Sequence, residues 1–317
     1  MILALRALGV GDLATAVPAL RALRAAYPDR ELVLAAPGWL GPLVELVGGV
    51  DRLLPTDGLD RLDRPTGTVE IAVNLHGRGP DSHRLLTALR PERLLAFANA
   101  DAGHADGPDW DDDEHEVPRW CRLLRGYGVP ADPTELDLRR PHRMAGHTGV
   151  TVLHPGSKVP AKRWPAGRYA ALARELTARG HRVVVTGSAP ERAGAARIAQ
   201  AAGLPAAAVL AGRTDLAQLA ALVAHARLVV SGDTGVAHLA TGYRTASVVL
   251  FGPVPPSRWG PPPGRRRHRV LWAGPGDPPG AAGTGRRPSV AAIGVDEVLA
   301  AVGEVERAVR ADRAVAA

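Results

Sequence analysis

The chain reads as an α/β protein of two tandem halves, each a parallel sheet covered by helices. Three observations carry this. Short apolar runs alternate with helical periodicities from end to end, the pattern of successive βα units. The pattern restarts after Arg139 to Gly149, a stretch containing Pro141 and Gly146 that reads as a linker. A length of 317 residues fits two domains at roughly 150 residues each.

In the first half, Ile2 to Leu5 predicts a strand, and a turn carrying Gly9 and Gly11 leads into a helix from Leu13 to Ala26. Val17, Leu20, Leu23 and Ala26 keep an approximate helical period there. Leu32 to Ala35 predicts the next strand, Leu40 to Val47 a short helix and Ile71 to Leu75 a further strand. Asp101 to Glu116 is polar and acidic and reads as a loop free to move. In the second half, strands are expected at Val150 to Leu153, Arg182 to Thr186, Leu228 to Val230 and Ala246 to Leu250. Helices are expected at Ala166 to Arg179, Glu191 to Ala202 and Leu216 to His225. A Pro-rich loop, Pro253 to Pro263, precedes a terminal helix from Asp296 to Arg310. Two such units put a ligand cleft at the carboxyl ends of their sheets.

Composition narrows the function. With 46% hydrophobic and 22% charged residues, the chain can fill two cores and is not disordered. A net charge of +7 admits nucleic acid, an anionic membrane surface or acidic ligands. The charge is mostly Arg scattered along the chain, with one cluster at Arg265, Arg266, Arg267, His268 and Arg269. It lacks the interleaved aromatics that grip single-stranded nucleic acid, so an anionic small molecule is the better partner. Cys121 is the single cysteine, which excludes an internal disulfide and points to a reducing cytoplasm and a buried, unreactive thiol. No run approaches the ~20 apolar residues of a membrane helix, though a peripheral membrane contact stays open. Met1 to Leu5 is cut off by Arg6 and is too short for a signal-peptide core.

Three blocks carry chemistry. Ser231 to Ala240 follows the apolar run Leu228-Val229-Val230 and reads as strand, tight turn and first helical turn. Such a turn aims free N–H groups and a helix dipole at one point, which suits phosphate; Asp233 or Thr234 as a plain N-cap is the alternative. Leu8-Gly9-Val10-Gly11-Asp12-Leu13 is a weak dinucleotide fingerprint, because its third small residue falls on Ala14 or Thr15 and no acidic ribose partner ends a convincing second strand. Asp12 stands at a helix N-terminus, either facing the cleft or capping the helix. His154-Pro155-Gly156-Ser157-Lys158 with Lys162-Arg163-Trp164-Pro165 lacks the spacing of a nucleoside-triphosphate loop. Lys158 and Lys162 are nonetheless the chain's only lysines and are suited to neutralising a diphosphate. Phe251-Gly252-Pro253 through Trp259-Gly260-Pro261 adds a rigid loop with one Trp.

Taken in order, these blocks resemble glycosyltransferase family 9, best known for ADP-heptose:lipopolysaccharide heptosyltransferases. Gly11-Asp12 with Pro18-Ala19-Leu20, Lys162-Arg163-Trp164-Pro165, Gly187 to Glu191, Asp233-Thr234-Gly235 with His238-Leu239, and the Phe251 and Trp259 blocks all contribute. The resemblance implies a GT-B fold, two Rossmann-like domains facing across a cleft with a C-terminal helix crossing back to the first. Residues 1–145 would form the acceptor domain, 150–290 the nucleotide-sugar donor domain, and 291–317 the helix packing back on the first domain. It implies inverting, metal-independent transfer of a heptose or related sugar from a nucleotide-diphosphate donor, ADP-sugar favoured, with no cofactor. Asp12 matches the family's general base and Lys162 a lysine facing the donor phosphates. Ser157, Lys158, Thr234 and Gly235 would join Lys162 there, Asp233 would orient sugar hydroxyls or backbone, and Glu191 would lie near the ribose. Gly11, His238 and Trp259 are substrate-contact candidates, with His238 equally readable as a core histidine.

Two features depart from the pattern. Gly274 to Ser289 lacks the cysteines many members carry. The acidic stretch Asp101 to Glu116 suits a neutral or cationic acceptor better than a phosphorylated lipid core, and the Ala- and Arg-rich composition suggests a high-GC genome. The acceptor is then a cell-envelope glycan or a small natural product. A non-transferring epimerase or hydrolase, and a noncatalytic sugar-nucleotide-binding protein, are the alternatives on the same fold; a Rossmann oxidoreductase fits least.

Overall fold

The computed structural model describes residues 1–272, 274 and 289–316, and the chain divides into two compact units, Met1–Arg139 and Arg140–Ala317. The first unit has strands β1 (Ile2–Leu5), β2 (Leu32–Ala36), β3 (Arg52–Pro55), β4 (Ile71–Asn74) and β5 (Arg93–Leu95). All pair parallel in the order β3-β2-β1-β4-β5, with Ile2 opposite Leu32 and Ile71. β1, β2 and β4 are buried along their whole length, which is why they read as continuous apolar runs without alternation. Helices α1 (Val10–Thr15), α2 (Val17–Ala26), α3 (Gly41–Val47), α4 (Asp81–Thr87) and α5 (Glu116–Gly126) complete the unit. The single helix expected from Leu13 to Ala26 is two, starts earlier and breaks at Ala16. Pro18 explains the break, having no N–H to offer the Ala14 carbonyl.

The acidic stretch is a loop, but a pinned one. Trp110 meets the Phe97 ring edge-on at 5.0 Å, and the Arg119 guanidinium lies 4.3 Å over Trp110. Arg119 also donates to the carbonyls of Asp111 and Glu114, and Arg122 to the Glu114 carboxylate at 2.7 Å. Gly107 packs so closely that a Cβ there would enter the backbone at Ala96 to Ala98. The carboxylates of Asp109, Asp111, Asp112 and Asp113 still face solvent.

The second unit has strands β6 (Thr151–His154), β7 (Val183–Val185), β8 (Leu228–Gly232), β9 (Ser247–Phe251) and β10 (His268–Trp272), parallel in the order β10-β9-β8-β6-β7. Its helices are α6 (Ala166–Ala178), α7 (Arg192–Ala201), α8 (Leu216–Ala224), α9 (Gly235–Gly242), the single turn α10 (Pro256–Trp259) and α11 (Val295–Ala316). Residues of the expected linker belong here: Arg140 donates to the carbonyls of Ala224 and Tyr243, and Gly149 N–H to that of His225. α11 packs on α6, β9 and β10 and buries Val298, Leu299, Val302 and Val305 in the unit's core. Residues 291–316 are thus built into the second unit and are not a separate segment.

The Arg cluster proves to be the lead into the edge strand β10. Arg267 pairs with Asp312 and Arg269 with Glu304 on α11, while Arg265 donates to the Thr241 carbonyl. His268, between them, is buried against Ser247 Oγ at 2.8 Å. Those arginines are engaged within the fold. Cys121 is fully buried and burial pushes its thiol up to about 12, so it is inert at neutral pH. Of the Gly274 to Ser289 segment, only Gly274 and Ser289 lie among the described residues.

Candidate functional site

In an open parallel sheet, ligands bind at the carboxyl edge where the strand order reverses. In the second unit that point lies between β6 and β8, because β7 is added on one side and β9 and β10 on the other. The loops leaving those two strands carry the residues in question. After β8, Asp233 stands 5% exposed at the head of α9, and its Oδ2 accepts from Lys162 Nζ at 2.5 Å. Its other oxygen lies 3.8 Å from His238 Nε2, and the His238 ring meets Trp259 in a T-shaped contact at 5.7 Å. Lys162 reaches Asp233 because a short turn, Pro160–Lys162, lies directly over the β8 and β9 ends. A Cβ on Gly232 would stand 2.9 Å from the Lys162 carbonyl oxygen, and one on Gly252 3.0 Å from that of Ala161. Glycine at both positions is what lets the turn close down.

Thr234 is the N-cap of α9, extended in backbone, but its side chain makes no cap bond. Its Oγ1 and that of Ser231 (Oγ) are buried without a hydrogen-bond partner among the described residues. Orphaned buried hydroxyls beside a helix N-terminus mark a place where an oxyanion would satisfy groups the protein leaves open. Gly235 opens α9 with no Cβ to obstruct that approach.

A second group gathers at Glu191. Its Oε2 accepts from Ser188 N–H at 2.7 Å and from Ser188 Oγ at 2.8 Å, closing a capping box. Burial works against ionisation here, but the two Ser188 bonds, with Arg163 nearby, hold the carboxyl below its usual range. The carboxylate lies flat on Gly156, where a Cβ would come within 2.5 Å of Cδ. Burial pushes the His154 imidazole down to about 4, so it is neutral, with Nδ1 on Thr186 Oγ1 at 2.9 Å. Ser157 is buried: its Oγ accepts from Val159 N–H and its carbonyl from Arg163. Lys158 is exposed and makes no ion pair among the described residues, so the two lysines are not a matched pair. Trp164 is structural, buried and donating to the Ile293 carbonyl at 2.9 Å.

In the first unit the order reverses between β1 and β4. After β1, Gly11 and Asp12 lie in the first turn of α1; the N-cap is Gly9, not Asp12, and Asp12 Oδ2 accepts from Gly9 N–H at 3.0 Å. Its side chain keeps 28% exposure, and Oδ1 lies 3.7 Å from Arg6 Nη2. Arg6 is wholly buried and joins both strand ends. It donates to the Leu75 carbonyl after β4, to the Asp12 carbonyl, to Thr15 Oγ1 at 3.1 Å and to Glu116 Oε1 at 2.9 Å. Glu116 also accepts from Arg119 at 2.5 Å and Trp120 Nε1 at 3.0 Å. Burial would raise its pKa, but Arg6, then Arg119 and Trp120, hold it ionised below the usual range. His76, after β4, is held down by burial and by Arg6, against the pull of Asp12.

The model of glycosyltransferase family 9 (heptosyltransferase) matches residues 108–276, more than half of the chain. The chain belongs to glycosyltransferase family 9. It is therefore a glycosyltransferase. It is similar to lipopolysaccharide heptosyltransferase 2 of Salmonella typhimurium, at 27% identity over 307 residues covering 83% of this chain and 85% of that protein. Over 150 residues, 45% of this chain and 41% of the relative, it is 42% identical to lipopolysaccharide heptosyltransferase 1 of Pseudomonas aeruginosa. Among solved structures, a glycosyl transferase family 9 protein from Veillonella parvula superposes with TM-score 0.78 at 19% identity, covering 96% of both chains. E. coli ADP-heptose lps heptosyltransferase II gives 0.75 at 23% identity, covering 96% of this chain and 98% of that one. Two Rossmann-like sheets in tandem are the GT-B class of this glycosyltransferase family. The elements missed by sequence reasoning are Arg6, His76, Glu116 and Ser188. A charged residue directly after the fully apolar Ile2 to Leu5, and a His two residues beyond β4, were the available signals.

Proposed function

We propose that this glycosyltransferase moves a heptose or related sugar from an ADP-sugar to an acceptor hydroxyl with inversion at the anomeric carbon. The second unit binds the donor and the first activates the acceptor. The acceptor oxygen forms its bond to the anomeric carbon while the bond from that carbon to the β-phosphate oxygen breaks. The acceptor proton goes to Asp12, and the leaving nucleoside diphosphate carries away the electron pair. The observation that carries this reading is the contrast between the two aspartates at the two strand-order reversals. Asp233 is buried and ion-paired with Lys162; Asp12 keeps a half-exposed carboxylate at the edge of its sheet. A base must reach an acceptor hydroxyl, and only the second kind of carboxylate is built for that.

Charge on the departing diphosphate needs cations and N–H donors. Lys162, the start of α9 and the open hydroxyl of Thr234 supply them, with Asp233 holding the ammonium in place until phosphate shares it. Glu191, ionised and fixed by Ser188, is suited to accept from ribose hydroxyls. His238 and Trp259 together form a wall against the sugar. The names of the relatives, lipopolysaccharide heptosyltransferases, favour heptose and a cell-envelope glycan as acceptor.

The test is thermal shift against ADP-, GDP-, UDP- and dTDP-sugars, with wild type beside Lys162→Ala and Asp12→Asn. A saturable shift with an ADP-sugar, lost in Lys162→Ala and kept in Asp12→Asn, is expected. Asp12→Asn should meanwhile lose transfer by about 10²–10⁴-fold, the usual contribution of a general base. A folded protein that shifts with no sugar nucleotide overturns the reading.

A further inference from the structure

We propose that the buried Arg6–Glu116 pair is a positioning device for Asp12, with Glu116 neutralising Arg6 so that the Asp12 carboxylate stays available as a proton acceptor. The inference rests on the reading of Asp12 as base. Its starting point is an unusual burial: the Arg6 side chain has no exposure, yet it lies at the carboxyl edge of a sheet beside a half-exposed carboxylate. A guanidinium cannot lose its proton, so a buried one must be matched by a carboxylate and satisfied by acceptors.

The acceptors fix geometry. Nε donates to the Asp12 carbonyl, Nη1 to the Leu75 carbonyl and Nη2 to Thr15 Oγ1, so one rigid fork ties the first turn of α1 to the end of β4. The Trp120 ring lies 4.7 Å beneath the guanidinium and holds the fork against α5. The matching charge comes from Glu116, 2.9 Å from Nη2, and not from Asp12, whose nearer oxygen is 3.7 Å away. Glu116 is itself clamped by Arg119 and the Trp120 N–H.

The other groups around Asp12 do not take over this role. His76 is held toward its neutral form by burial and by Arg6. Arg119 is paired to Glu116 and to carbonyls of the acidic loop. On α2, Arg21 and Arg24 turn to the carbonyls of Val47 and Gly49, and on α3 the one charged residue, Glu45, is exposed. Asp12 therefore faces the Arg6 guanidinium, and Glu116, which Arg119 shares, is the carboxylate bonded to that guanidinium. Without Glu116, the guanidinium would seek Asp12 as its counter-ion. A carboxylate locked to Arg is a weaker base and loses its proton at lower pH.

The experiment compares Glu116→Gln and Glu116→Asp with wild type in the pH dependence of kcat/KM, whose acidic limb reports the essential base. ADP-sugar affinity is measured alongside as a readout in the second unit, and Asp12→Asn as a control. Glu116→Gln is expected to move the acidic limb down by about one pH unit and lower the plateau about tenfold, with donor affinity unchanged. Glu116→Asp, which keeps the charge on a shorter stem, should recover most of both effects and remains informative if Glu116→Gln fails to fold. A purely structural role would lower yield or plateau without moving the limb. A limb unmoved in the folded variants, with Asp12→Asn inactive, overturns the proposal alone. Activity retained in Asp12→Asn overturns the base reading and the proposal with it.

Discussion

Replacing Gly156 with Ala should cost stability through a side chain 35 residues away. A Cβ on Gly156 would stand 2.5 Å from both Cδ and Oε2 of Glu191. Ordinary contact lies near 3.5 Å, so the carboxylate must retreat by about 1 Å. It cannot do so and keep its bonds of 2.7 Å and 2.8 Å to Ser188, which close the capping box ahead of α7. Hydrogen bonds to a charged group contribute roughly 1.5–3 kcal/mol each when buried; at this half-exposed carboxylate the pair is worth about 1–2 kcal/mol. Glycine-to-alanine substitution alone would stabilise by about 0.4–1 kcal/mol through the unfolded chain, so a loss cannot come from backbone entropy. Urea denaturation of Gly156→Ala, Glu191→Ala and the double variant decides the point. Each single change should destabilise by about 1–2 kcal/mol, and the double variant should be no worse than Glu191→Ala, since the clash then has no target. Additive losses would show that Gly156 is constrained by something other than Glu191. The same displacement should weaken donor binding in both single variants.

Two further outcomes follow from the second unit. Burial, then Arg265 and Arg267, depress the His268 imidazole from 6.5 to about 4. The unfolded chain therefore takes up a proton in that window and the folded one does not. Its contribution is complete above pH 6.5 and is lost as pH falls toward 4, at about 1.4 kcal/mol per pH unit and about 3 kcal/mol in all. His268→Gln should flatten the stability–pH curve by that slope between pH 6.5 and pH 4, and an unchanged slope would show that His268 carries its proton in the native fold. Separately, Gly232→Ala should push the Pro160–Lys162 turn off the sheet end through the 2.9 Å contact with the Lys162 carbonyl. Donor affinity measured by titration should fall by about tenfold or more, with the fold retained by circular dichroism; wild-type affinity would refute the turn's part in placing Lys162.

What could be read from the sequence follows burial. β1, β2, β4, β6, β8 and β9 are fully or almost fully covered, so each announces itself as an apolar run. Three of the four edge strands, β3, β5 and β10, did not, whereas the buried edge strand β7 did. β3 and β10 keep half-exposed positions and begin with Arg52 and His268, so composition hides them among charged neighbours. α5 was lost for a related reason: its first residue, Glu116, looks like the end of an acidic loop, although it is buried against Arg6 and Arg119. The residues at the two strand-order reversals were legible because loop chemistry there stands out against apolar flanks. Their partners were not, since nothing local links Arg6 to Glu116 or Lys162 to Asp233.

That gap bears on how the two aspartates differ. Each follows a buried strand beside a strand-order reversal and each stands near a helix start, so local sequence makes them look alike. The long-range partners separate them. Asp233 receives its own counter-ion from the turn over β8, at 2.5 Å, and a histidine on its other side. A carboxylate so paired holds a cation where an incoming phosphate can share it. Asp12 stands beside an arginine already hydrogen-bonded to Glu116, and one of its oxygens is engaged by a single backbone N–H. Had the ion pairs been exchanged, with Arg6 closed on Asp12 and Lys162 left to solvent, neither carboxylate would suit its proposed task. The proposed division of labour between the units therefore depends on which distant residue supplies the counter-charge, and Glu116 and Lys162 are the positions where that dependence can be broken one at a time.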